Sequence, residues 1–346
     1  VAAARGGPLV QGFLTDDKAH VECPDASPAC KNLLRAFELG ERALARHCTG
    51  HLPSGAPPSA FVALNLHNSE AILPSVRPQL NALLRWLQPS GVYLSVYESG
   101  SSDATVAMLK LLSEELTSLE VPHTINASAH DVRGARNRLH FLADMRNAAL
   151  RPMHATGAAT YEKLLFLNDV YFCAADLALL LVGDHRRSDM VCGMDFYKEP
   201  DHLYDTWVST DLEGAKLQHH EPYVSHEPAA ALLAAGAPFP VYCCWNGAAS
   251  VDASLLYEGI HFHGGRLGEC PTSECLLFCS DMQRRLQLIR PFPYRQASPY
   301  RPASTRGHPS SLRHPCLRLL SKLQRSYGAW THGACQVALP PTPHLP

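Results

Sequence analysis

The sequence predicts an α/β fold: a mostly parallel, Rossmann-like sheet flanked by helices. Three observations carry this. Short apolar runs and amphipathic helical stretches alternate regularly between about residues 60 and 170, the pattern of a parallel sheet with crossover helices. The first of these runs, 61–66, is compactly apolar, as a strand candidate should be. Polar residues then gather at the ends of three of these runs, where such sheets bind ligands.

The elements follow in order. "FVALNL" (61–66) is the first strand and "EAILPSVRPQLNALLRWL" (70–87) a helix whose Pro74 and Pro78 point to a broken or late start. "GVYLSVYES" (91–99) is a strand, and "SDATVAMLKLLSEELTSL" (102–119) a helix that Ser102 or Asp103 can cap. "HTIN" (123–126) is a third strand. "ARNRLHFLADMRNAALRPM" (135–153) is a helix with apolar positions at Leu139, Leu142, Met145 and Ala149, and "EKLLFLND" (162–169) a fourth strand. Beyond 173 the regularity fades. "LALLLVG" (177–183) is a short helix and "DMVCGMDFY" (189–197) a strand leading into an acidic turn. "PFPVYCCWNGAASVDASLL" (238–256) holds a strand and then Trp-Asn-Gly, and "CPTSECLLFCSDMQRRL" (270–286) is a capped helix.

Three regions are expected. Residues 1–58 form an N-terminal helical, stem-like segment containing "NLLRAFELGERALARHC" (32–48) and closing on the Pro/Gly/Ser linker 52–60. Residues 59–290 form the catalytic domain. Residues 291–346 form a Pro/Arg-rich tail of low order, with one helix possible at 311–327. A chain that starts at Val1 is expected to be part of a longer one, with any signal or anchor helix upstream.

The composition, 46% hydrophobic and 18% charged with a net charge of −2, is that of a globular protein. It lacks the basic footprint of nucleic-acid binding, and no apolar run is long enough to span a membrane. Twelve cysteines are many for this length. With the sequon Asn126-Ala-Ser128 they suggest a disulfide-bonded glycoprotein of the secretory pathway. Rival readings are a zinc site in Cys270-x4-Cys275-x3-Cys279, whose spacing fits no standard zinc module, and buried free thiols.

The three polar strand ends are Asn65/His67/Asn68, Glu98-Ser99-Gly100 and Asn168-Asp169. They suit a nucleotide sugar held through a divalent metal, since Mg²⁺ or Mn²⁺ takes oxygen ligands, often one or two carboxylates plus phosphate oxygens. Asp169 is the candidate metal ligand. Asn168 can add a carbonyl or hold a water, and Val170 leaves one ligand place without a carboxylate. Glu98 can receive a ribose or base, with Ser99 beside it, and Gly100 allows the backbone to approach closely. Asp103 competes between ligand and helix cap. Arg136, Arg138 and Arg146 can reach a diphosphate, or can be ordinary surface arginines.

"VYESGSSDAT", "RNRLHFLADMRNAAL", "FLNDVYFCAAD", "MVCGMDFY", "YDTWVSTDLEG", "PFPVYCCWNG" and "SECLLFCSDM" occur in this order across about two thirds of the chain. Together they resemble the fungal capsule mannosyltransferase family, the cryptococcal α-1,3-mannosyltransferase group and its capsule-associated relatives. The resemblance implies a GT-A type glycosyltransferase fold with NDV in place of the usual DxD, GDP-mannose as donor, a divalent metal (Mn²⁺ or Mg²⁺), and transfer to a glycan acceptor hydroxyl with retention. It implies a lumenal Golgi setting as a single-pass type II membrane protein, with the membrane reached only through an N-terminal anchor outside this chain. It also implies that Trp245-Asn246-Gly247 is a loop approaching the sugars and that Glu274 is an acceptor-binding or catalytic carboxylate. Asp195, Asp211 and Glu274 are the candidates for a nucleophile if the reaction is a double displacement. Thr210 and His263 stand where the family pattern leads us to expect Arg, and past Asp281 the closing strand and late metal-binding residue common in GT-A enzymes are not found. A non-catalytic sugar-binding or scaffold relative, or a transferase for another nucleotide sugar, is the alternative.

Overall fold

This computed structural model describes residues 12–15, 47–128, 137–155, 158–183, 188–197, 202–266, 272–289 and 319–321. The chain runs β1 (Gly12–Thr15), β2 (Ala60–Leu66), α1 (Leu73–Leu87), β3 (Val92–Ser99), α2 (Thr105–Ser118), β4 (His123–Ser128), α3 (Arg138–Leu150) and β5 (Lys163–Leu167). It continues as β6 (Val170–Tyr171), α4 (Ala174–Val182), β7 (Met190–Cys192), β8 (Asp195–Phe196), α5 (Glu227–Ala234), β9 (Ala248–Asp252), α6 (Ala253–Tyr257), α7 (Glu274–Ile289) and β10 (Leu319–Ser321).

The main sheet has the order β1-β4-β3-β2-β5-β9-β7. Its first five members are parallel, and β9 runs antiparallel to both β5 and β7. Strand side chains alternate between two apolar layers. Val62, Leu64, Leu94, Val96, Leu165 and Leu167 pack with α1, α2 and α4. Phe61, Ala63, Tyr93, Leu164 and Phe166 pack with α3 and α7. This double-sided burial is why the strands read as continuous apolar runs.

Helix α1 starts late, at Leu73 with Pro74 in its first turn and Pro78 inside. The first turn has no helical partner for its N–H groups, so a proline there costs little. Before α2, Asp103 Oδ1 accepts from the Thr105 N–H at 3.0 Å and Oδ2 from the Glu70 N–H at 3.2 Å. From the residue before the N-cap Ala104 it therefore satisfies the first helical N–H, and it also ties together the loops after β2 and β3. Ser273 Oγ likewise accepts from the Cys275 N–H at the start of α7, at 3.1 Å.

From β2 the chain first builds outward to β3 and β4, then returns to place β5 on the other side of β2. Open α/β sheets bind ligands in a crevice at such a reversal, here beyond the carboxyl ends of β2 and β5. Near these ends, Asn65 Nδ2 of β2 donates to the Met145 carbonyl of α3 at 2.9 Å.

Several expectations are corrected. The strand near 240 follows Trp-Asn-Gly instead of preceding it: β9 begins at Ala248, and Pro238 and Pro240 supply no ladder N–H groups. Residues 190–196 form two short strands rather than one strand and a turn. Within 311–327 the structure describes only 319–321, as a strand between β6 and β8 rather than part of a helix, in the stretch where no closing strand was expected. The stem helix expected at 32–48 lies outside the described residues except for its last two, 47 and 48.

The disulfide reading holds for the described cysteines. Cys48–Cys173, Cys192–Cys244 and Cys243–Cys279 are bonded, and Cys275 alone among them is a free, buried thiol. The zinc reading falls, because Cys279 is already bonded to Cys243. Among the described residues no group of three or more His, Cys, Asp or Glu side chains could hold a metal. No helix among them is long and apolar enough to cross a membrane.

Candidate active site

The antiparallel register explains how two distant motifs meet. Leu167 pairs with Ala248, so the end of β5 lies beside the residues just before β9. The Asn168 N–H donates to the Gly247 carbonyl at 2.8 Å. Gly247 adopts a φ of 67°, a left-handed conformation that glycine accepts without cost. Strand β7 delivers its own end to the same edge, where the Gly193 N–H donates to the Ala248 carbonyl at 3.0 Å. NDV, WNG and Asp195 therefore share one rim of the crevice.

Arg146 of α3 is the hub. Its Nε donates to Glu274 Oε1 at 3.0 Å and its Nη1 to Asn168 Oδ1 at 3.1 Å. Its guanidinium lies 5.0 Å from the Trp245 ring centroid, 5.3 Å from Phe166 and 5.6 Å from Phe262. Planar guanidinium suits both the stacking and the forked hydrogen bonding. Burial would lower its pKa, but Cys275, Glu274 and Asp205 more than offset this and the net direction is upward. Glu274 has a side chain only 3% exposed. A charge so buried needs its partner, since removing one member leaves the other uncompensated.

The acids cluster around this hub. Asp195 is buried, and its Oδ1 accepts from Asn246 Nδ2 at 3.3 Å. Burial and then the neighbouring Asp205 charge push its carboxyl up to about 7. Asp205 Oδ1 accepts from the Val208 N–H at 3.3 Å. Its pKa is raised by burial, against the backbone N–H groups of Val208 and Trp207 and the charge of Arg146. Asn246 also donates to the Asp205 carbonyl at 2.9 Å and accepts from Ser209 Oγ at 2.6 Å. Asp169 is half-buried at the mouth. Together with Asp205 and Asp195 it adds to the burial that raises the Tyr204 pKa.

Glu98 is the last residue but one of β3, just before the loop that begins at Gly100. It is fully buried; its Oε1 accepts from the Ser101 N–H, and its Oε2 has no hydrogen-bond partner. Burial raises its pKa, as does the Asp103 charge more weakly, against hydrogen bonds from Ser101 and Gly100. Ser99 is buried beside it, and Gly100 has a φ of 82°.

A match to the family described as Cryptococcal mannosyltransferase 1 runs over residues 59–281. The chain belongs to that family. It is 30% identical over 248 residues to the α-1,3-mannosyltransferase CMT1 of Cryptococcus neoformans, covering 64% of this chain and 53% of that protein. It thus spans about half the length of this curated relative. Among solved structures it is similar to S. aureus TarS, with 16% identity, a TM-score of 0.38, and coverage of 64% of this chain and 32% of that one. It is also similar to the mannosyltransferase PcManGT of Pyrobaculum calidifontis, solved with GDP-Man and Mn2+, with 16% identity, a TM-score of 0.34, and coverage of 67% and 55%.

Within this member of the Cryptococcal mannosyltransferase 1 family, the structure surrounds the candidate residues as follows. Arg146, expected at a diphosphate, donates to Glu274 and Asn168 and lies over three aromatic rings. Trp245, expected to approach the sugars, is 2% exposed and packs on Phe166, Phe262 and Phe278. An aromatic ring of this size stabilises the core most when fully buried. Asn246 is likewise buried and serves to orient Asp195. Asp211 is 1% exposed, and its Oδ1 accepts from the Glu213 and Ala215 N–H groups at 3.0 and 2.9 Å. It caps a turn and does not join the Arg146 cluster. Asn168 turns its carbonyl to Arg146 rather than leaving it as an open ligand. His263 pairs with Asp281 at 3.1 Å. Arg136 lies outside the described residues.

Asp205 and its neighbours Tyr204 and Trp207 were missed as candidates. "YDTW" carries the one local signal, an acid bracketed by two aromatics. Its meaning depends on Arg146 and Asp195, which no local spacing connects to it.

Proposed function

We propose that this chain is the catalytic part of a retaining mannosyltransferase that uses GDP-mannose and a divalent cation, Mn²⁺ or Mg²⁺, to glycosylate a glycan hydroxyl. Membership of the family and the name of the cryptococcal relative support mannosyl transfer. The observation that carries the reading is the Arg146 hub, which joins Asn168 of the NDV element to Glu274 and fixes that rim of the switch-point crevice.

The donor set fits a hard cation. Asp169 offers one half-buried carboxylate at a strand end. One protein carboxylate, with diphosphate oxygens and water completing the shell, is an ordinary arrangement for Mg²⁺ or Mn²⁺ at nucleotide sites. Such a cation supplies charge neutralisation on the departing diphosphate. Glu98 Oε2 is a buried acceptor without a partner, suited to a nucleoside donor group such as a ribose hydroxyl or a base N–H. Arg146 holds Glu274 and Asn168 in one geometry, and Asn246 holds Asp195. Asp195, Asp205 and Glu274 then form an acid wall around the rim. Preorganised groups of this kind stabilise charge without reorganising during the reaction. Retention proceeds with attack on the donor face that the leaving group vacates, or by a double displacement for which Asp195 and Glu274 stay candidates and Asp211 does not.

The three disulfides of the described residues support an oxidising compartment, and we place the protein in the lumen of the secretory pathway, the Golgi. The testing experiment is nucleotide release from GDP-mannose with Mn²⁺, compared across other nucleotide sugars. Asp169→Ala is expected to lower it by about 100-fold or more while the protein stays folded, and EDTA to do the same to the parent. Undiminished release in either case overturns the metal role.

A further inference from the structure

Large apolar side chains exposed at the surface are few among the described residues. Leu179, Leu212, Leu232 and Tyr257 each stand singly, which needs no explanation. Tyr204 and Trp207 differ: they are 42% and 39% exposed and bracket Asp205, whose carbonyl accepts from the buried Asn246 Nδ2 at 2.9 Å. The Tyr204 N–H donates to the Asp195 carbonyl at 2.9 Å, which sets Tyr204 beside the acid cluster. The Arg138 guanidinium lies 6.0 Å from the Trp207 ring centroid and brings hydrogen-bond donors to the same place.

This platform is held rigidly. Lys216 Nζ donates to the Trp207 carbonyl, and the Tyr204 N–H to the Asp195 carbonyl at 2.9 Å. The Asp205 carboxyl accepts from Val208, and the Leu203 N–H donates to the His219 carbonyl at 2.8 Å. Exposed aromatic rings anchored by several hydrogen bonds mark a binding surface. A pyranose presents an apolar C–H face and a rim of hydroxyls, which matches flat rings with a guanidinium at their edge. A folded peptide would need a larger apolar patch than two rings.

We propose that Tyr204, Trp207 and Arg138 form the acceptor subsite, where a neutral mannoside lies against the rings and turns a hydroxyl toward the Asp169–Asp205 mouth. This rests on the transferase reading above and adds to it the residues that choose the acceptor.

The test is a titration of the protein with α-1,3-mannobiose by saturation-transfer NMR and calorimetry, with and without GDP and Mn²⁺. Trp207→Ala is expected to weaken binding by about tenfold or more, and Trp207→Phe by about threefold or less. Leu179→Ala, a truncation at another exposed apolar residue, is expected to leave affinity unchanged. The proposal is overturned if the parent does not bind the disaccharide, if Trp207→Ala binds like the parent, or if Leu179→Ala weakens binding equally. Nucleotide release from GDP-mannose, run on the parent, judges the transferase reading separately: its absence beside Trp207-dependent mannoside binding would sink that reading and leave the subsite standing.

Discussion

At the scale of single residues, the site is governed by how its buried charges are matched. Glu274 is buried against Arg146. Arg146→Met is therefore expected to cost about 3–5 kcal/mol in urea denaturation, because it strands the carboxylate. The double variant Arg146→Met/Glu274→Gln should recover much of that loss. A double variant as unstable as the single one would show that ring packing, not charge matching, is what Arg146 contributes. Asp195 behaves in the opposite sense. Its folded pKa of about 7 stands above the ordinary 3.8. The stability linked to its neutral form is whole below the unfolded value and is lost as pH rises through the folded one. Asp195→Asn should then be nearly neutral near pH ~4 and stabilising by about 1–4 kcal/mol near pH ~8. Thermal melts across that window check it; equal effects at both ends would contradict the burial of a reluctant carboxylate. The strand end that carries Asp169 was legible from the apolar run before it, whereas the engagement of Arg146 was not, since its partner Glu274 lies 128 residues away.

At the scale of elements, the crevice is shaped by strand ends and the caps that stop the loops from fraying. Asp103 both caps α2 and holds the Glu70 backbone, and Asn68 accepts from the Ser102 N–H at 2.9 Å across the same gap. Asp103→Ala is expected to cost about 1–2 kcal/mol. It should also raise amide exchange in residues 68–70 as well as in α2. Exchange confined to α2 would reduce Asp103 to a simple helix cap. The parallel strands, with the helices between them, were readable because their period and caps are local. The antiparallel placement of β9 was not: Trp245-Asn246-Gly247 reads as the end of a strand until β9 pairs with β5 and turns it into the start of one.

At the scale of the whole molecule, disulfides join parts that the sheet does not. Cys243 and Cys244 are neighbours, yet one binds Cys279 of α7 and the other Cys192 of β7. They thus anchor the WNG segment from two directions beside the helix that carries Glu274. Replacing Cys192 and Cys244 by Ser is expected to cost about 2–4 kcal/mol and to lower the melting temperature measurably. Unchanged melting would mean that packing alone holds this edge. By itself the sequence determined an α/β chain with a mostly parallel sheet, polar strand ends at one edge, and the motifs that mark its family, because periodicity, caps and strand breaks are written within a few residues. The tertiary structure alone decided that Trp245 is core, that Asp211 belongs to a turn and that Asp205 belongs to the acid cluster. Those outcomes depend on burial and pairing between segments far apart in the chain, which no local pattern encodes.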